Sequence, residues 1–251
     1  MKKLLLGLIL MSGVAVGETI VLDKDTLVFR GAVDSKTVSS MIYRISNTDS
    51  DDIKLFISSP GGSVLQGSHF IDFMKASGKK FTCITDFAAS MAFSIFQHCD
   101  NRYVLPSGIL MQHQSSWGIR GEDRKNKQMI KLIDSLNYKN DLSTSKKLRM
   151  SVKSYNDLVA HDLWLLGVNT TRFRGYKFAD AVVNAKCTKE LLRSEVKETI
   201  YYTMSKVDVV WSGCPLIDAP LRIDGEDYIT TKSTWDTEFI KKINTLYKGR
   251  I

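Results

Sequence analysis

Cysteine and histidine are scarce in this sequence, four of each in 251 residues. No two cysteines stand in a C-x-x-C or similar ligand spacing, so a zinc site is not expected. Beyond the N-terminus no apolar run reaches the ~20 residues a membrane-spanning helix needs. Internal repeats and low-complexity stretches are absent. Acidic residues are outnumbered, 27 against 35 basic, which leaves a net charge of +8. Such a balance suits nucleic acid or an anionic membrane surface. The chain has no nucleic-acid motif and no basic stripe with interleaved aromatics, so no nucleic-acid partner is expected. What remains is 43% hydrophobic, enough for one large α/β domain, or a domain with an appendage.

The N-terminus reads as an address. Met1-Lys2-Lys3 is a charged start, Leu4 to Met11 an apolar core, and Ala15-Val16-Gly17 a small-residue cleavage site before Glu18. Residues 1–17 are therefore expected to be a signal peptide and the mature chain to be exported, periplasmic or extracellular. Uncleaved, the same segment would hold the protein at a membrane. There is no cysteine at the cleavage site, which argues against a lipoprotein. In an oxidising compartment four cysteines permit two disulfides in three connectivities. Cys187 with Cys214 would staple the C-terminal part. Cys83 with Cys99 is disfavoured, because standard rises put Cys83 ~7 Å below its strand end and Cys99 ~13 Å along its helix.

The centre of the chain repeats one plan. Ile53 to Ser58 is an apolar strand halted at Ser59-Pro60-Gly61-Gly62-Ser63, after which Leu65, Ile71, Phe73 and Met74 follow at helical spacing. Phe81 to Thr85 is a second strand, and Ala88 to Phe96 a helix of small and apolar residues. Consecutive βα units imply parallel strands, with both turns opening at the strands' carboxyl ends. Gly61 and Gly62 would present unobstructed N–H groups there. Ser90, at the start of its helix in AASMA, has small neighbours, and His113 ends a third apolar run, Ile109-Leu110-Met111. A hydroxyl, an imidazole and backbone donors are the parts of acyl-transfer chemistry.

SPGGS, AASMA and LMQHQ in this order resemble the proteolytic subunit of the Clp protease, in the wider ClpP/crotonase-type superfamily, from roughly Thr26 to Val183. The resemblance implies an α/β fold with a repeated β-β-α spiral core and a projecting helix. It implies Ser90 as nucleophile and His113 as base. Asp162, 49 residues after His113, would be the orienting acid. Gly62 and Met91 match the oxyanion donors, and Gly61, Ser63 and Gln114 fall where substrate would be bound. The order Ser, His, Asp differs from that of the common triads. Ala89 and Ala92 depart from glycine options near the nucleophile, and there is no G-x-S-x-G elbow. The expected reaction is peptide hydrolysis without metal or organic cofactor. The substrate would be a peptide or unfolded protein and the protein a homo-oligomer. An exported chain would work without an ATPase partner.

Asp34 or Ser35 should cap a helix through Ile45, preceded by short strands at Thr19 to Leu22 and Thr26 to Arg30. Gly121 to Asn140 is a charged helix with a stripe of Met129, Leu132, Ile133 and Leu136. It is read either as a projecting contact helix or as one packed on its own domain. A second helix is expected near Ser145 to Val152. Residues 18–186 would form the protease-like domain and 187–251 an α+β extension of unassigned role. That extension should hold a helix at Lys189 to Ser205, strands at Val207 to Trp211 and Leu221 to Ile229, and a final helix from Thr234 or Asp236. Three other readings compete. A non-catalytic assembly subunit would have a disabled triad, a signal-peptide-peptidase-like enzyme often uses a Ser-Lys dyad, and an acyl-CoA enzyme needs cytoplasmic coenzyme A.

Overall fold

The computed structural model describes residues 17–115, 122–202, 205–217 and 219–225. Residues 1–16 of the expected signal segment and the expected final helix lie outside them. The chain forms two compact units, one through Thr188 and one from Lys189.

The first unit is built on the strands β1 (Gly17–Leu22), β2 (Leu27–Val33), β3 (Asp52–Gly62), β4 (Lys80–Ala89), β5 (Asn101–Gln112), β6 (Leu163–Leu166) and β7 (Ala181–Cys187). Their order is β1-β7-β5-β4-β3-β2, with β6 paired to β5. Every pairing is parallel except β5 with β6. β5 shares one edge between two partners: Tyr103 and Val104 pair with β7, and Ile109 to Gln112 with β6. The middle of β3 is buried on both faces, as parallel strands usually are, whereas β5 alternates. In β3, Ile53, Leu55, Phe56, Ile57, Ser58 and Ser59 are all buried.

The helices are α1 (Ser35–Ser46), α2 (Val64–Ala76), α3 (Met91–Gln97), α4 (Asp123–Lys147) and α5 (Val152–Val159). Each of α1, α2 and α5 starts on a side-chain cap. Asp34 accepts from Thr37 N at 2.8 Å, Ser63 from Gln66 N at 3.3 Å and Ser151 from Ser154 N at 3.0 Å. The core between sheet and helices is aromatic-rich, with Phe29 and Phe70 rings 5.5 Å apart and Phe93 and Phe178 6.2 Å apart.

Several local expectations are corrected. The strand expected to stop at Ser58 runs to Gly62, and the one expected to stop at Thr85 runs to Ala89. Both carry a register irregularity, between Ile57 and Ser58 and between Thr85 and Phe87, which lets pairing resume past polar residues. The helix expected near Ser145 is the end of α4, which continues to Lys147 before Ser151 caps α5. In α4, Met129 and Leu132 are about half exposed, while Asn140, Thr144 and Ser145 are buried. The helix therefore packs by its polar C-terminal half rather than by the apolar stripe.

Cys83 and Cys99 form a disulfide, with Cα atoms 6.0 Å apart. The disfavoured pairing fails as an expectation because α3 folds back along β4 and ends at Gln97. The next residues then turn to the strand's start, where Asp100 N donates to Phe81 O at 2.9 Å and Phe81 N to Asp100 Oδ2 at 2.8 Å. None of the described cysteines is free.

The second unit holds α6 (Lys189–Arg193), β8 (Glu195–Tyr202), β9 (Ser205–Ser212) and β10 (Pro220–Gly225), a three-stranded antiparallel sheet in the order β10-β9-β8. The helix expected over Lys189 to Ser205 breaks at Ser194. EVKETIYY beyond it is rich in β-branched and aromatic residues and pairs with β9.

Candidate active site

Ser90 stands between β4 and α3, one residue past the strand and one before the helix. Its backbone holds φ 54° and ψ −122°, a region non-glycine residues rarely enter, at a cost of about 1–3 kcal/mol. The neighbours enforce that conformation. Ser90 N donates to Met111 O at 2.9 Å, tying the turn to the end of β5. From the other side β3 arrives at Gly61, with φ +89°. A methyl group on Gly61 would lie 2.5 Å from Ala89 O and 2.8 Å from both Met91 N and Ser90 Cβ. Only glycine fits there.

His113 follows the last residue of β5, and its Nε2 lies 2.9 Å from Ser90 Oγ. The residue under the ring is fixed by a buried relay. Gln112 Nε2 donates to Tyr155 Oη at 2.8 Å and to Ser94 Oγ at 3.3 Å, and Gln112 Oε1 accepts from His113 N at 3.2 Å. Tyr155 is fully buried, and burial raises its phenol well above the ordinary value.

Asp162 lies in the short connection between α5 and β6, not on a helix. The β5–β6 ladder ends with Gln112 paired to Leu163, and His113 and Asp162 are the residues that flank that last pair. The Asp162 side chain is exposed, and among the described residues it makes no hydrogen bond to His113. Ser90 and His113 are thus in contact, and Asp162 follows the end of α5 next to the last β5–β6 pair.

Met91 N belongs to the first turn of α3, where backbone donors lack helical acceptors. Gly62 is exposed at the end of β3. Gly61 packs beneath the Ser90 turn, and Ser63 caps α2 rather than lining the cavity beside Ser90. That cavity, about 250 Å³, is bordered by Ser90, Met91, His113 and Gln114 on one side and by Asp134 and Asp141 of α4 on the other. Burial pushes the Asp141 carboxyl up to about 6. Gln112, Tyr155 and the two α4 acids were not singled out from sequence. Asp134 and Asp141 are seven residues apart on a charged helix, a spacing solvated acids share, so only the packing of α4 marks them. No group of His, Cys, Asp and Glu among the described residues could hold a metal ion.

A mainly parallel α/β sheet with a hydroxyl–imidazole contact at its carboxyl edge is the class of architecture present. The chain matches the family model described as Clp protease over residues 18–186, and it belongs to that family. It is 31% identical over 110 residues to the ATP-dependent Clp protease proteolytic subunit 3 of Rhizobium meliloti, covering 41% of this chain and 56% of the relative. To the ATP-dependent Clp protease proteolytic subunit of Deinococcus radiodurans it is 30% identical over 148 residues, covering 53% and 72%. The chain thus spans little more than half of the first relative's length.

Proposed function

We propose that this protein is a serine endopeptidase working through Ser90, His113 and Asp162. The observation that carries the reading is the 2.9 Å contact between His113 Nε2 and Ser90 Oγ, made by a serine held at positive φ. Ser90 Oγ attacks the peptide carbonyl while His113 takes its proton and then delivers it to the leaving amine. Asp162, once turned to the ring, holds the Nδ1–H tautomer and stabilises the imidazolium. The N–H groups of Gly62 and Met91 receive the oxyanion, each such donor contributing about 3–4 kcal/mol to the transition state in enzymes of this kind. Water then releases the acyl group from Ser90.

Family membership supports a peptide substrate and an oligomeric protein, and exposed Trp164, Leu166, Met129 and Leu132 are surfaces an oligomer would cover. The N-terminal charged and apolar pattern supports export and therefore peptide cleavage without ATP. The open contact at Asp162 favours a second reading, a non-catalytic assembly subunit.

Fluorophosphonate labelling of the purified protein separates the two. Under the peptidase reading the wild type labels, Ser90→Ala and His113→Ala do not, and peptide hydrolysis needs no nucleotide. A folded oligomer that fails to label supports the assembly subunit, and labelling that survives in Ser90→Ala means another serine is the nucleophile. N-terminal sequencing of the mature protein tests export, with Glu18 the expected first residue.

A further inference from the structure

The cavity beside Ser90 is acidic in a protein that is otherwise basic. Its wall on α4 presents Asp134, Asn137 and Asp141, which share one helical face at i, i+3 and i+7. Among the described residues no lysine or arginine lines it, although the chain carries a net charge of +8. Of the described lining groups, the one that can become a cation is His113, whose Nε2 is engaged by Ser90. Apolar side chains contribute little: Val64, Met91 and Val159. Asp141 is half-buried and makes no hydrogen bond or ion pair among the described residues. An ionised carboxylate there is partly removed from water and has no partner among the described residues, an unfavourable arrangement that an incoming cation relieves. Asn137 is held by Ser115 Oγ, which donates to its Oδ1 at 2.8 Å. Asn140 is held by Ser68, with Nδ2 to Oγ at 3.1 Å. Between them these contacts pin the helix face on which both acids stand.

We propose that this cavity is a specificity pocket that takes the lysine or arginine side chain of a peptide substrate beside the scissile bond, with Asp141 and Asp134 as its counter-charges. The proposal rests on the peptidase reading above and names the substrate class of that site. A charge-assisted hydrogen bond to a half-buried carboxylate corresponds to about 10–100-fold in affinity. The enzyme should therefore favour Lys or Arg over Leu by at least about tenfold in kcat/KM.

The test uses fluorogenic peptides that differ only in the residue preceding the cleaved bond, Lys, Arg, Leu or Glu, with wild type, Asp141→Asn and Asp134→Asn. Thermal unfolding establishes that each variant is folded. The expected result is a Lys-to-Leu ratio above about 10 in the wild type. It should fall about tenfold in Asp141→Asn, mainly through KM for the Lys peptide, and less in the more exposed Asp134→Asn. A wild type that prefers Leu, or a Lys preference that persists in both folded variants, overturns the pocket assignment while fluorophosphonate labelling of Ser90 leaves the peptidase reading standing. Failure of the wild type to label and to cleave any peptide overturns both.

Discussion

His98 and Asp141 give the protein two opposed responses to pH. His98 is wedged between α3 and α4, with Nδ1 donating to Ser94 O at 2.7 Å and Nε2 2.6 Å from Ser143 Oγ. Burial lowers its pKa, against the opposing hydrogen bond to Ser94, with Lys75 and Lys147 nearby adding to the effect of burial and Asp72 opposing it, to about 4 in all. Because the folded value lies below the unfolded one, its contribution is present above about pH 6.5 and is lost as pH falls through 4. The loss is about 3 kcal/mol. His98→Gln should flatten the dependence of unfolding free energy on pH between 6.5 and 4, as measured by urea denaturation. Asp141 works the other way. Its folded value is raised, so the native state binds the extra proton and stability falls as pH rises from about 4 to 6. The nearby titratable groups are Asp134 of its own helix, Tyr155 of α5 and His113 just past β5. Asp141→Asn should raise stability at pH 8 by on the order of 1 kcal/mol after solvent screening, and should change little at pH 4. Gly61 is the residue on which the nucleophile's geometry depends most directly. Gly61→Ala forces its methyl into Ala89 O and the Ser90 turn, and a loss of at least about 10³-fold in fluorophosphonate labelling rate is expected.

At the scale of elements, one ion pair between a buried arginine and an exposed aspartate ties β5 to the start of β7. Arg102 Nη2 lies 2.8 Å from Asp180 Oδ1, and Asp180 Oδ2 also accepts Arg102 N at 2.8 Å. Arg102 Nη1 reaches Gln97 Oε1 at the end of α3, and Gln97 Nε2 donates to Phe178 O at 2.9 Å. The pair holds Asp180 below the usual carboxylate range against the opposing effect of burial. Removing the carboxylate takes one partner from the buried Arg102 guanidinium, but Asp180 is itself exposed, so Asp180→Ala should cost about 1–3 kcal/mol in equilibrium unfolding. Methionine and leucine paired in place of Arg102 and Asp180 would cost far less. Arg102 and Asp180 are 78 residues apart, and no local pattern announces such a partnership. The helix caps are the opposite case. Asp34 and Ser63 sit where apolar periodicity begins, and a cap bonds only within its own first turn, so α1 and its start were readable residue by residue. The break at Ser194 was not, because EVKETIYY becomes a strand only by pairing with β9.

For the whole molecule, the Cys83–Cys99 disulfide ties the strand before Ser90 to the chain after the helix that follows it. It closes a loop of sequence separation 16. In the chain-entropy account, opening it releases about 3 kcal/mol into the unfolded state. Cys83→Ser with Cys99→Ser should lower the unfolding free energy of the chain by that order, measured against the oxidised protein in the same buffer.

The order of βα units, the parallel sheet and the meeting of Ser90 with His113 were legible from sequence. They depend on hydrophobic period, on turn residues and on motifs whose spacing survives folding unchanged. Tertiary structure alone decided the rest. It carried β3 and β4 past the positions where polar residues suggested a stop, since ladder pairing resumes after a bulge. It set Ser90 at positive φ by pressing Gly61 beneath it, and folded α3 back so that Cys99 meets Cys83. It set Asp134 and Asp141 of a charged helix on the cavity beside Ser90, because which face of α4 meets the domain is chosen by contacts to α2, α3 and α5 rather than by the helix itself.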